Sequence, residues 1–450
     1  MSTIKRILIT FVVLSLLAAP IMFVSCGQEK EEGAEESTQA KEETTTIRFA
    51  SDPNGAIYEL NKEQAKDYMA DHPNVKIELY DTSRSTTDLL GQYKQFWESQ
   101  SGELDLYRID VIWPGDIHKH MVDLNQYPKV KQAAEKHFDA IIENNTVDGK
   151  LVGLPWFTDG GILYYRTDLL DKYGYDGPPE TWTELEKMAK KIMAGERSEG
   201  NQDFFGYVWQ GDSYEGLTCD ALEWVYSNGG GTIVSPDKKI TINNDRAKEA
   251  IAMAADWVGD ISPSGVTAMK EEDARRVWQN GNAAFMRNWP YAYSLGNSDD
   301  STIKGNFDAT ALPNGKSGHG AATLGGWQIA VSKYSENPDV AVDVLRMLCS
   351  EESQKQNAIE GSYNPTIKNL YDDQEVLNAT PIFGKLYDVF VNAVPRPSTA
   401  TAPNYSETSR LFFSKVHEVL LGETEADTAM QELELNLQDL LDYETGAPQK

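Results

Sequence analysis

Aromatic rings stand beside a charged side chain and beside glycine or proline at several places in this chain. The stretches are Trp156-Phe157-Thr158-Asp159-Gly160-Gly161, Arg287-Asn288-Trp289-Pro290-Tyr291, Leu324-Gly325-Gly326-Trp327 and, more weakly, Val394-Pro395-Arg396-Pro397. Aromatic faces stack on the C–H faces of sugar rings, while carboxylate and guanidinium groups make paired, charge-assisted hydrogen bonds to neighbouring hydroxyls. Glycine next to a Trp lets the backbone approach a ligand closely. The composition is therefore typical of a site for a polyhydroxylated molecule.

A second interpretation of the same stretches needs no ligand. Each ring can belong to a hydrophobic core, and each charged side chain can be a helix cap or one half of a surface ion pair. For a single Trp the core interpretation is the more common one. Several stretches of one kind favour a binding site, but composition alone leaves both interpretations open.

Catalysis by paired carboxylates is a separate hypothesis. Asp110, Asp116 and Asp159 are candidates for the two carboxyl groups of a glycoside hydrolase. Nothing in the sequence fixes the distance between any two of them, and among 70 acidic residues chance pairs are common. The chain has no serine-nucleophile elbow, P-loop or dinucleotide-binding glycine motif. The six histidines, among them His118 and His120, follow no metal-ligand or triad spacing, so we expect neither a metal nor a cofactor.

Alternating strand and helix patterns must position these residues. Strand patterns cover 45–51, 74–80 and 106–115, and helix patterns cover 56–69 and 86–99. This βαβαβ order predicts a parallel sheet with helices on both faces. In such sheets ligands bind outside the carboxyl ends of the strands, and polar groups follow those ends at 51–52, 81–85 and 110–116. These polar strand ends mark the expected binding edge.

The α/β pattern continues towards the C-terminus. Two extended apolar runs flank residues 158–161, and Thr181 with Glu184 forms a helix-capping signal. Further helix patterns cover 217–227, 245–258, 271–279, 338–350 and stretches from 380 onwards, with a strand pattern at 327–332. Within the second aromatic stretch Pro290 excludes a continuous strand, and we expect Phe285 and Met286 to face a core.

Length and charge narrow the class of protein. The chain has 450 residues, of which 40% are hydrophobic, so it can form two or three domains with substantial cores. The formal net charge is −29, and Lys and Arg form no cluster that could displace counterions from phosphates. We therefore expect no nucleic-acid partner.

Residues 1–25 have the pattern of a signal peptide. Lys5 and Arg6 precede an apolar stretch that extends to about Val24. The alternative is a transmembrane anchor, but Pro20 interrupts the stretch. We expect export from the cytoplasm, to the periplasm or the cell surface.

Cys26 ends the apolar stretch. The sequence Phe23-Val24-Ser25-Cys26-Gly27 resembles a bacterial lipobox, with Phe23 and Val24 where Leu and a small residue are usual. The resemblance implies a lipid on Cys26 that anchors the protein to a membrane. Residues 26–45 are rich in Glu and almost free of apolar groups, which predicts a disordered acidic tether.

Two further cysteines, Cys219 and Cys349, lie in helix-like contexts. One interpretation is a disulfide between them. The other, which we favour, is that each is a small buried apolar residue.

The motifs together resemble a known family. They are IDVIWPG (109–115), LPWFTDGGILYYRTDLL (154–170), PPETWTEL (178–185), YVWQGDSYEGLTCDALEWVYSNGG (207–230), FMRNWPYAY (285–293), LGGWQIAVSKYS (324–335) and NP (364–365). The chain is identified as a member of the extracellular solute-binding proteins of bacterial carbohydrate ABC importers, and it is similar to the trehalose/maltose-binding branch. The resemblance implies a periplasmic-binding-protein-like α/β fold, in which two lobes are joined by a three-crossing hinge around a ligand cleft.

The same resemblance implies lobe limits and hinge positions. Lobe one would comprise 46–158 plus 327–394, and lobe two would comprise 159–326 plus 395–450. The hinge crossings would lie near 158–161, 323–326 and 394–397.

Individual site residues follow from the family motifs. The resemblance implies that Asp110 and Asp159 accept hydrogen bonds from sugar hydroxyls, that the Gly326 amide and Arg396 donate them, and that Trp289, Tyr291 and Trp327 flank the rings. A family acidic residue on the first helix falls within 54–59, where an ungapped match places Ala56 and leaves Glu59 as the candidate. The family's Thr-containing loop fits 81–88 in more than one register, which makes Ser83 a candidate beside Arg84 and Ser85.

The implied function is capture without catalysis. The protein would bind an α-linked disaccharide of the trehalose, maltose or sucrose type, close its hinge around it, and deliver it as a monomer to the membrane permease. The alternatives are a polyol or a longer oligosaccharide as ligand, and a secreted glycoside hydrolase that uses Asp110 and Asp159.

Overall fold

The computed structural model describes residues 44–448 of the chain. The strands are β1 (Thr45–Ala50), β2 (Val75–Tyr80), β3 (Leu106–Asp110), β4 (Thr146–Val147), β5 (Lys150–Leu151), β6 (Leu154–Gly160), β7 (Ile162–Arg166), β8 (Phe205–Val208), β9 (Ala283–Asn288), β10 (Phe307–Thr310) and β11 (Leu324–Val331). The helices of the first half are α1 (Ile57–Asp71), α2 (Thr86–Glu98), α3 (Pro114–Ile117), α4 (Pro128–Ala134), α5 (Asp139–Asn144), α6 (Thr167–Tyr173), α7 (Trp182–Ser198) and α8 (Glu215–Ser227). Those of the second half are α9 (Asp245–Trp257), α10 (Glu271–Gln279), α11 (Ala292–Gly296), α12 (Pro338–Leu348), α13 (Glu351–Gly361), α14 (Gln374–Ala379), α15 (Ile382–Lys385), α16 (Tyr387–Val391), α17 (Ser398–Thr401), α18 (Tyr405–Leu420) and α19 (Ala426–Leu441).

One sheet has five strands in the order β2-β1-β3-β11-β6. Strand β1 pairs in parallel with both β2 and β3, as the βαβαβ pattern predicts. Strand β11 is the antiparallel strand of this sheet and pairs with β3 on one side and β6 on the other, so β6 runs in the same direction as β3. Successive residues of β3 are buried in different core clusters, Leu106 on one face and Tyr107 on the other. Both faces of the sheet are therefore covered.

The other large sheet has four strands in the order β10-β7-β9-β8. In β7, Leu163 and Tyr165 pack into one core cluster, while Ile162 and Tyr164 pack into another. Phe285 and Met286 of β9 are both 0% exposed, which confirms the prediction that they face a core. The strand ends at Asn288, two residues before Pro290.

The chain passes between the two sheets at places that lie side by side. Gly161 alone separates β6 of the five-stranded sheet from β7 of the four-stranded sheet. The return passage enters β11, where Leu324 pairs with Gly160. On the other side of β11, the Leu324 amide donates to the Val394 carbonyl at 2.9 Å, and the Val394 amide donates to the Ala322 carbonyl at 2.7 Å. After Val394 the chain runs on to α18 and α19, which share a core cluster with the four-stranded sheet.

Three local predictions concern a helix cap, two cysteines and the end of a strand. The capping box of Thr181 and Glu184 is present at the start of α7. Cys219 and Cys349 are free and buried, which supports the apolar interpretation and excludes a disulfide between them in this structure. The strand predicted over 106–115 ends earlier, at Asp110, because the backbone turns there and α3 begins at Pro114.

The N-terminal predictions concern residues that the structure does not describe. The signal peptide, Cys26 and most of the acidic tether lie outside 44–448. Within the described part of the chain no helix combines the length and the apolar character that crossing a membrane requires. The predicted lobe limits remain predictions.

Candidate functional site

A cavity lies between the two sheets. It encloses about 650 Å³ of space not filled by protein atoms, open solvent included. Its lining residues are Asp52, Asn54, Arg84, Thr86, Asp110, Phe157, Asp159, Glu215, Gly216, Cys219, Glu271, Trp289, Tyr291, Gly325, Gly326, Trp327, Tyr363 and Arg396. Carboxylates, guanidinium groups and aromatic rings thus meet in one place.

The five-stranded sheet contributes its strand ends. Asp52 follows β1, Asp110 is the last residue of β3, and Asp159 stands one residue before the end of β6. Trp327 pairs directly with Asp110 across the β3–β11 ladder. These positions meet because the carboxyl ends of β1 and β3 lie at the same edge, as the polar strand ends predict.

The four-stranded sheet contributes the residues that follow β9 and the starts of two helices. Trp289 comes directly after β9, and Tyr291 immediately precedes α11. Glu215 is the first residue of α8, and Glu271 is the first residue of α10. A carboxylate in the first turn of a helix is favoured by the helix dipole.

Arg396 links the two sides of the cavity. Its Nη2 donates to Asp110 Oδ1 at 3.0 Å and to the Leu324 carbonyl at 3.3 Å, and its Nη1 donates to Glu215 Oε1 at 2.8 Å. Glu215 also accepts from Tyr405 and Ser409, both at 2.6 Å. Burial raises the pKa of Asp110, while the Arg396 charge opposes the rise. The guanidinium group therefore bridges β3 and α8.

Asp159 has no ion-pair partner among the described residues, and the Arg287 charge is the only influence that lowers its pKa, behind burial and two neighbouring carboxylates that raise it. Asp159 is 7% exposed, and its Oδ1 has no hydrogen-bond partner among the described residues. Burial, followed by the carboxylates of Asp52 and Asp110, raises the pKa of Asp159 well above its usual value. A buried carboxylate oxygen without a donor is costly, so a ligand hydroxyl that donates to it would be favoured.

Trp289 packs closely against the backbone of β11. A Cβ on Gly325 would lie 3.0 Å from Trp289 Cζ3 and 3.1 Å from Asp159 Cβ. The absence of a side chain at position 325 therefore allows the ring to approach the strand. On another side of Trp289, the Arg287 guanidinium carbon lies 4.0 Å from the ring centroid.

Trp327 is held in a comparable way. The Arg108 guanidinium carbon lies 4.2 Å from its ring centroid, and the Trp113 ring meets it edge to face at 5.8 Å. Arg108 is itself paired with Asp52 at 2.8 Å. Burial raises the pKa of Asp52, and the Arg108 charge opposes this.

Tyr291 is tethered at its hydroxyl. Its oxygen donates to Glu272 Oε1 at 2.8 Å, and its ring lies nearly parallel to that of Tyr363, with centroids 6.3 Å apart. Both tyrosines pack against Gly55, whose φ is +62°. A Cβ at this position would lie 2.3 Å from the Tyr363 hydroxyl and 2.8 Å from Tyr291 Cδ2, so no side chain fits. Gly55 combines a left-handed backbone with close approach, which only glycine allows.

The structure brings most of the predicted site residues to this one cavity. Those that line it are Asp110, Asp159, Trp289, Tyr291, Gly326, Trp327 and Arg396. At Gly326 the φ is +121°, and a Cβ would lie 2.7 Å from the Phe157 carbonyl, so the position requires glycine. The Gly326 carbonyl accepts from the Val111 amide at 3.1 Å.

Glu59 and Ser83 do not line the cavity. The buried face of α1 carries Ile57, Leu60 and Asn61, so Glu59 points to solvent, where it pairs with Lys62 at 2.9 Å. The Ser83 hydroxyl accepts from the Ser85 amide at 3.1 Å and thus stabilises its own turn. The structure brings Arg84, from the same loop, to the cavity instead.

Several cavity residues were absent from the sequence-based set. Glu215, Glu271 and Tyr363 come from segments far from the aromatic stretches, and only the fold brings them there. Asp52 could have been predicted from the sequence, since it is one of the polar residues that follow the strand ends. Arg287, which the sequence left unassigned, is buried in ion pairs with Asp220 at 2.9 Å and Glu223 at 2.6 Å.

Comparisons with known proteins agree with this architecture. A relative from Deinococcus radiodurans, named a probable ABC transporter-binding protein, is 50% identical over 391 residues, 86% of this chain and 92% of its own. The maltodextrin-binding protein MdxE of Bacillus subtilis is 29% identical over 219 residues, 47% of this chain and 49% of its own. The solved structure of maltose-bound MalE3 from T. maritima superposes with a TM-score of 0.84 at 38% identity, covering 88% of this chain and 100% of that one.

A more distant structure shows the fold alone. The GacH receptor of Streptomyces glaucescens has a TM-score of 0.76 at 22% identity and covers 89% of this chain and 100% of its own. The family model described as bacterial extracellular solute-binding protein matches residues 51–355. That family consists of binding proteins and not of enzymes, so the hydrolase alternative is not supported. With most of its length matched, this chain belongs to the bacterial extracellular solute-binding protein family.

Proposed function

We propose that this protein is the sugar-binding component of an ABC importer, which captures an α-linked disaccharide of the trehalose, maltose or sucrose type and delivers it to the membrane permease. Two similarities support this proposal. The relative that shares half of its residues is named for an ABC transporter, and the structure with 38% identity contains maltose. A maltose-type ligand is therefore the first to test.

The observation that carries the proposal is the buried Asp159 Oδ1, which has no partner among the described residues, in a cavity that aromatic rings also line. Among the described residues this oxygen has no donor, and a sugar presents several hydroxyl donors next to apolar C–H faces. Trp289 and Trp327 offer the aromatic surfaces on which those faces stack. A purely structural role would leave the cost of burying this oxygen without compensation.

The other proposed contacts use atoms that remain available. Arg396 Nε is buried and has no acceptor among the described residues, so it can donate to a ligand oxygen. Asp110 uses Oδ1 for Arg396 and for the Ile112 amide, so Oδ2 is the oxygen proposed for a hydroxyl. Tyr291 and Gly326 complete the proposed set as a ring wall and a backbone donor.

Capture would proceed by hinge closure. Residues from both sheets line the cavity, so a sugar that contacts both favours the arrangement in which they are close. Lobe one would comprise 46–158 plus 327–394, and lobe two would comprise 159–326 plus 395–450. The closed form of the monomer would be the one that the permease recognises.

Attachment to a membrane is a separate part of the proposal. It rests on the lipobox-like sequence ending in Cys26, which would carry the lipid after removal of residues 1–25. The acidic segment that follows would tether the binding unit outside the cytoplasm. Metabolic labelling with a fatty-acid analogue, compared between wild type and Cys26→Ala, tests this part; equal labelling would contradict it.

A longer oligosaccharide is the second candidate ligand. A larger groove of about 1,270 Å³ adjoins the cavity through Thr86 and Glu215, and Lys94, Lys119 and Arg410 line it. Additional sugar units could extend into this space. A higher affinity for a tri- or tetrasaccharide than for maltose would favour this candidate.

The test is a ligand panel. Isothermal titration and thermal unfolding are measured with maltose, trehalose, sucrose, maltotriose and mannitol. We expect saturable binding and a raised Tm for at least one disaccharide, and no product formed. Binding of none of the sugars would refute the sugar proposal, and turnover abolished by Asp159→Asn would establish the hydrolase instead.

A further inference from the structure

Trp289 and Trp327 each have a buried guanidinium group over one ring face. The distances from guanidinium carbon to ring centroid are 4.0 Å for Arg287 over Trp289 and 4.2 Å for Arg108 over Trp327. Both arginines are 1% exposed, and neither lines the cavity. Trp327 belongs to the five-stranded sheet, while Trp289 follows a strand of the four-stranded sheet. The same arrangement therefore occurs on both sides of the cavity.

Arg108 is fixed by acceptors around its edge. Its Nη1 donates to Asp52 Oδ2 at 2.8 Å, and its Nη2 donates to Thr82 Oγ1 at 3.2 Å and to the Ser83 carbonyl at 3.0 Å. The donors of a guanidinium group lie in its plane, so these bonds leave its flat face free to stack on an aromatic ring. The guanidinium carbon lies 4.2 Å from the Trp327 centroid, which is close enough for such stacking.

Arg287 is fixed in the same manner by other residues. Its Nε and Nη2 donate to the two Glu223 oxygens at 2.9 and 2.6 Å, and its Nη1 donates to Gln210 Oε1 at 2.9 Å. Asp220 lies 2.9 Å from Nε and adds a second negative charge. The group is held on its edges by charge-assisted bonds, which are the stronger kind. Its flat face is free for Trp289.

We propose that Arg108 and Arg287 are positioning residues that hold the two cavity tryptophans in place, so that a ligand stacks on the ring face opposite each guanidinium group. This inference rests on the proposed sugar-binding function. A ring already fixed in its bound orientation loses less conformational freedom when the ligand arrives. Attraction between the buried cation and the ring supplies the restraint. Affinity is then set partly by residues that the ligand does not touch.

The test is a double-mutant cycle. Arg108→Lys keeps the positive charge but removes the planar group. We expect it to weaken maltose binding about 5- to 30-fold in the wild-type background. In the Trp327→Ala background the same change should weaken binding less than about 2-fold, because the ring through which Arg108 acts is gone. Arg287→Lys with Trp289→Ala forms the second cycle. Equal losses in both backgrounds, or no loss in either, would overturn the proposal.

A measurement without ligand separates this proposal from the sugar proposal. The near-ultraviolet circular dichroism of the tryptophans should change with Arg108→Lys, and that change should vanish in the Trp327→Ala background. If no sugar binds but this spectral coupling is found, the positioning role stands and the sugar proposal fails. An unchanged spectrum, or an equal change in both backgrounds, contradicts the positioning role.

Control variants keep the test interpretable. Arg166 pairs with Asp168 at 2.6 Å, and neither residue lines the cavity. Arg166→Lys should therefore leave the sugar affinity and the tryptophan spectrum unchanged. If Arg108→Lys does not fold, Thr82→Val removes one acceptor of Arg108 and leaves the arginine in place. We then expect about a 2- to 5-fold weaker affinity that again depends on Trp327.

Discussion

Arg396 Nη2 donates to Asp110 Oδ1 at 3.0 Å. This bond links the segment that follows Val394, where the chain passes between the sheets for the third time, to the end of β3. The same guanidinium group reaches Glu215 on α8. All three side chains are at least nine-tenths buried. Arg396 is therefore a buried cation that contacts carboxylates from both sides of the cavity.

Removing that arginine should affect both stability and binding. Arg396→Met leaves Asp110 and Glu215 buried without their cation, and breaking a buried pair on one side costs about 3–5 kcal/mol. We expect a lower Tm and at least about 10-fold weaker sugar affinity, measured by calorimetry. Arg246→Met is the control, since its pair with Glu249 is half exposed and lies outside the cavity and the adjoining groove, and such pairs are worth about 0–1 kcal/mol. Similar losses in both variants would contradict the role assigned to Arg396.

Asp159→Asn should move stability and affinity in opposite directions. Because burial raises the pKa of Asp159, the folded state binds its proton more tightly than the unfolded state. Stability from this group is present at low pH and is lost as the pH rises from the ordinary value of 3.8 through the raised folded value. Unfolding by denaturant at several pH values should show that the variant without ligand loses less stability over that window than wild type.

Affinity supplies the second half of the Asp159 prediction. At pH 7 the ligand-free variant should be more stable than wild type, yet bind sugar about 10-fold or more weakly, because an amide presents one acceptor oxygen where the carboxyl group presents two. Asp139→Asn, at an almost fully exposed side chain, should change neither property. A variant that binds as tightly as wild type would show that Asp159 is not a ligand contact.

Trp327→Ala should weaken binding without unfolding the protein. The ring is only partly buried, lines the cavity and packs against the edges of the two core clusters of the five-stranded sheet, so its loss removes stacking surface at a modest cost in stability. We expect at least several-fold weaker affinity by titration and an unchanged far-ultraviolet spectrum. Tyr387→Ala, at a ring that is 38% exposed outside the cavity, is the matched control. Unchanged binding in Trp327→Ala would mean that the ring serves packing only.

Gly161→Ala should be strongly destabilising. A Cβ there would lie 2.0 Å from Glu223 Oε1 and 2.6 Å from Arg287 Nη2, so the buried ion pair would have to move. Overpacking of this kind costs about 1–3 kcal/mol or more, which thermal unfolding would detect. Gly91→Ala is the control: it lies within α2 with open space around it, and there Ala should stabilise by up to about 1 kcal/mol.

Residue patterns predicted the framework well because it depends on local chemistry. The alternation of apolar residues located β1, β2 and β3, and Asp52 and Asp110 were found at strand ends because a parallel sheet places those ends together. The resemblance to a family supplied what periodicity could not, namely that Trp289 and Trp327 meet in one cavity.

The remaining site residues depend on long-range packing. Glu215 and Tyr363 reach the cavity only when the two sheets face each other, and no local pattern encodes that. Glu59 was assigned from a register that the sequence did not fix, and the helical period of α1 turns it outward. Arg287 had an unassigned role because its partners, Asp220 and Glu223, lie more than 60 residues earlier in the chain.

The side-by-side passages at Gly160, Leu324 and Val394 have a mechanical consequence. Because Leu324 pairs with Gly160 on one side and is bonded to Val394 on the other, the connection behaves as a small ribbon and not as separate threads. A hydrogen-bonded ribbon flexes readily out of its plane, whereas in-plane shear requires its hydrogen bonds to break. If capture proceeds by the proposed hinge closure, this ribbon would favour bending of one half of the molecule towards the other over sliding of one half past the other. The connection would then set the direction in which the two sheets approach each other, as well as linking them.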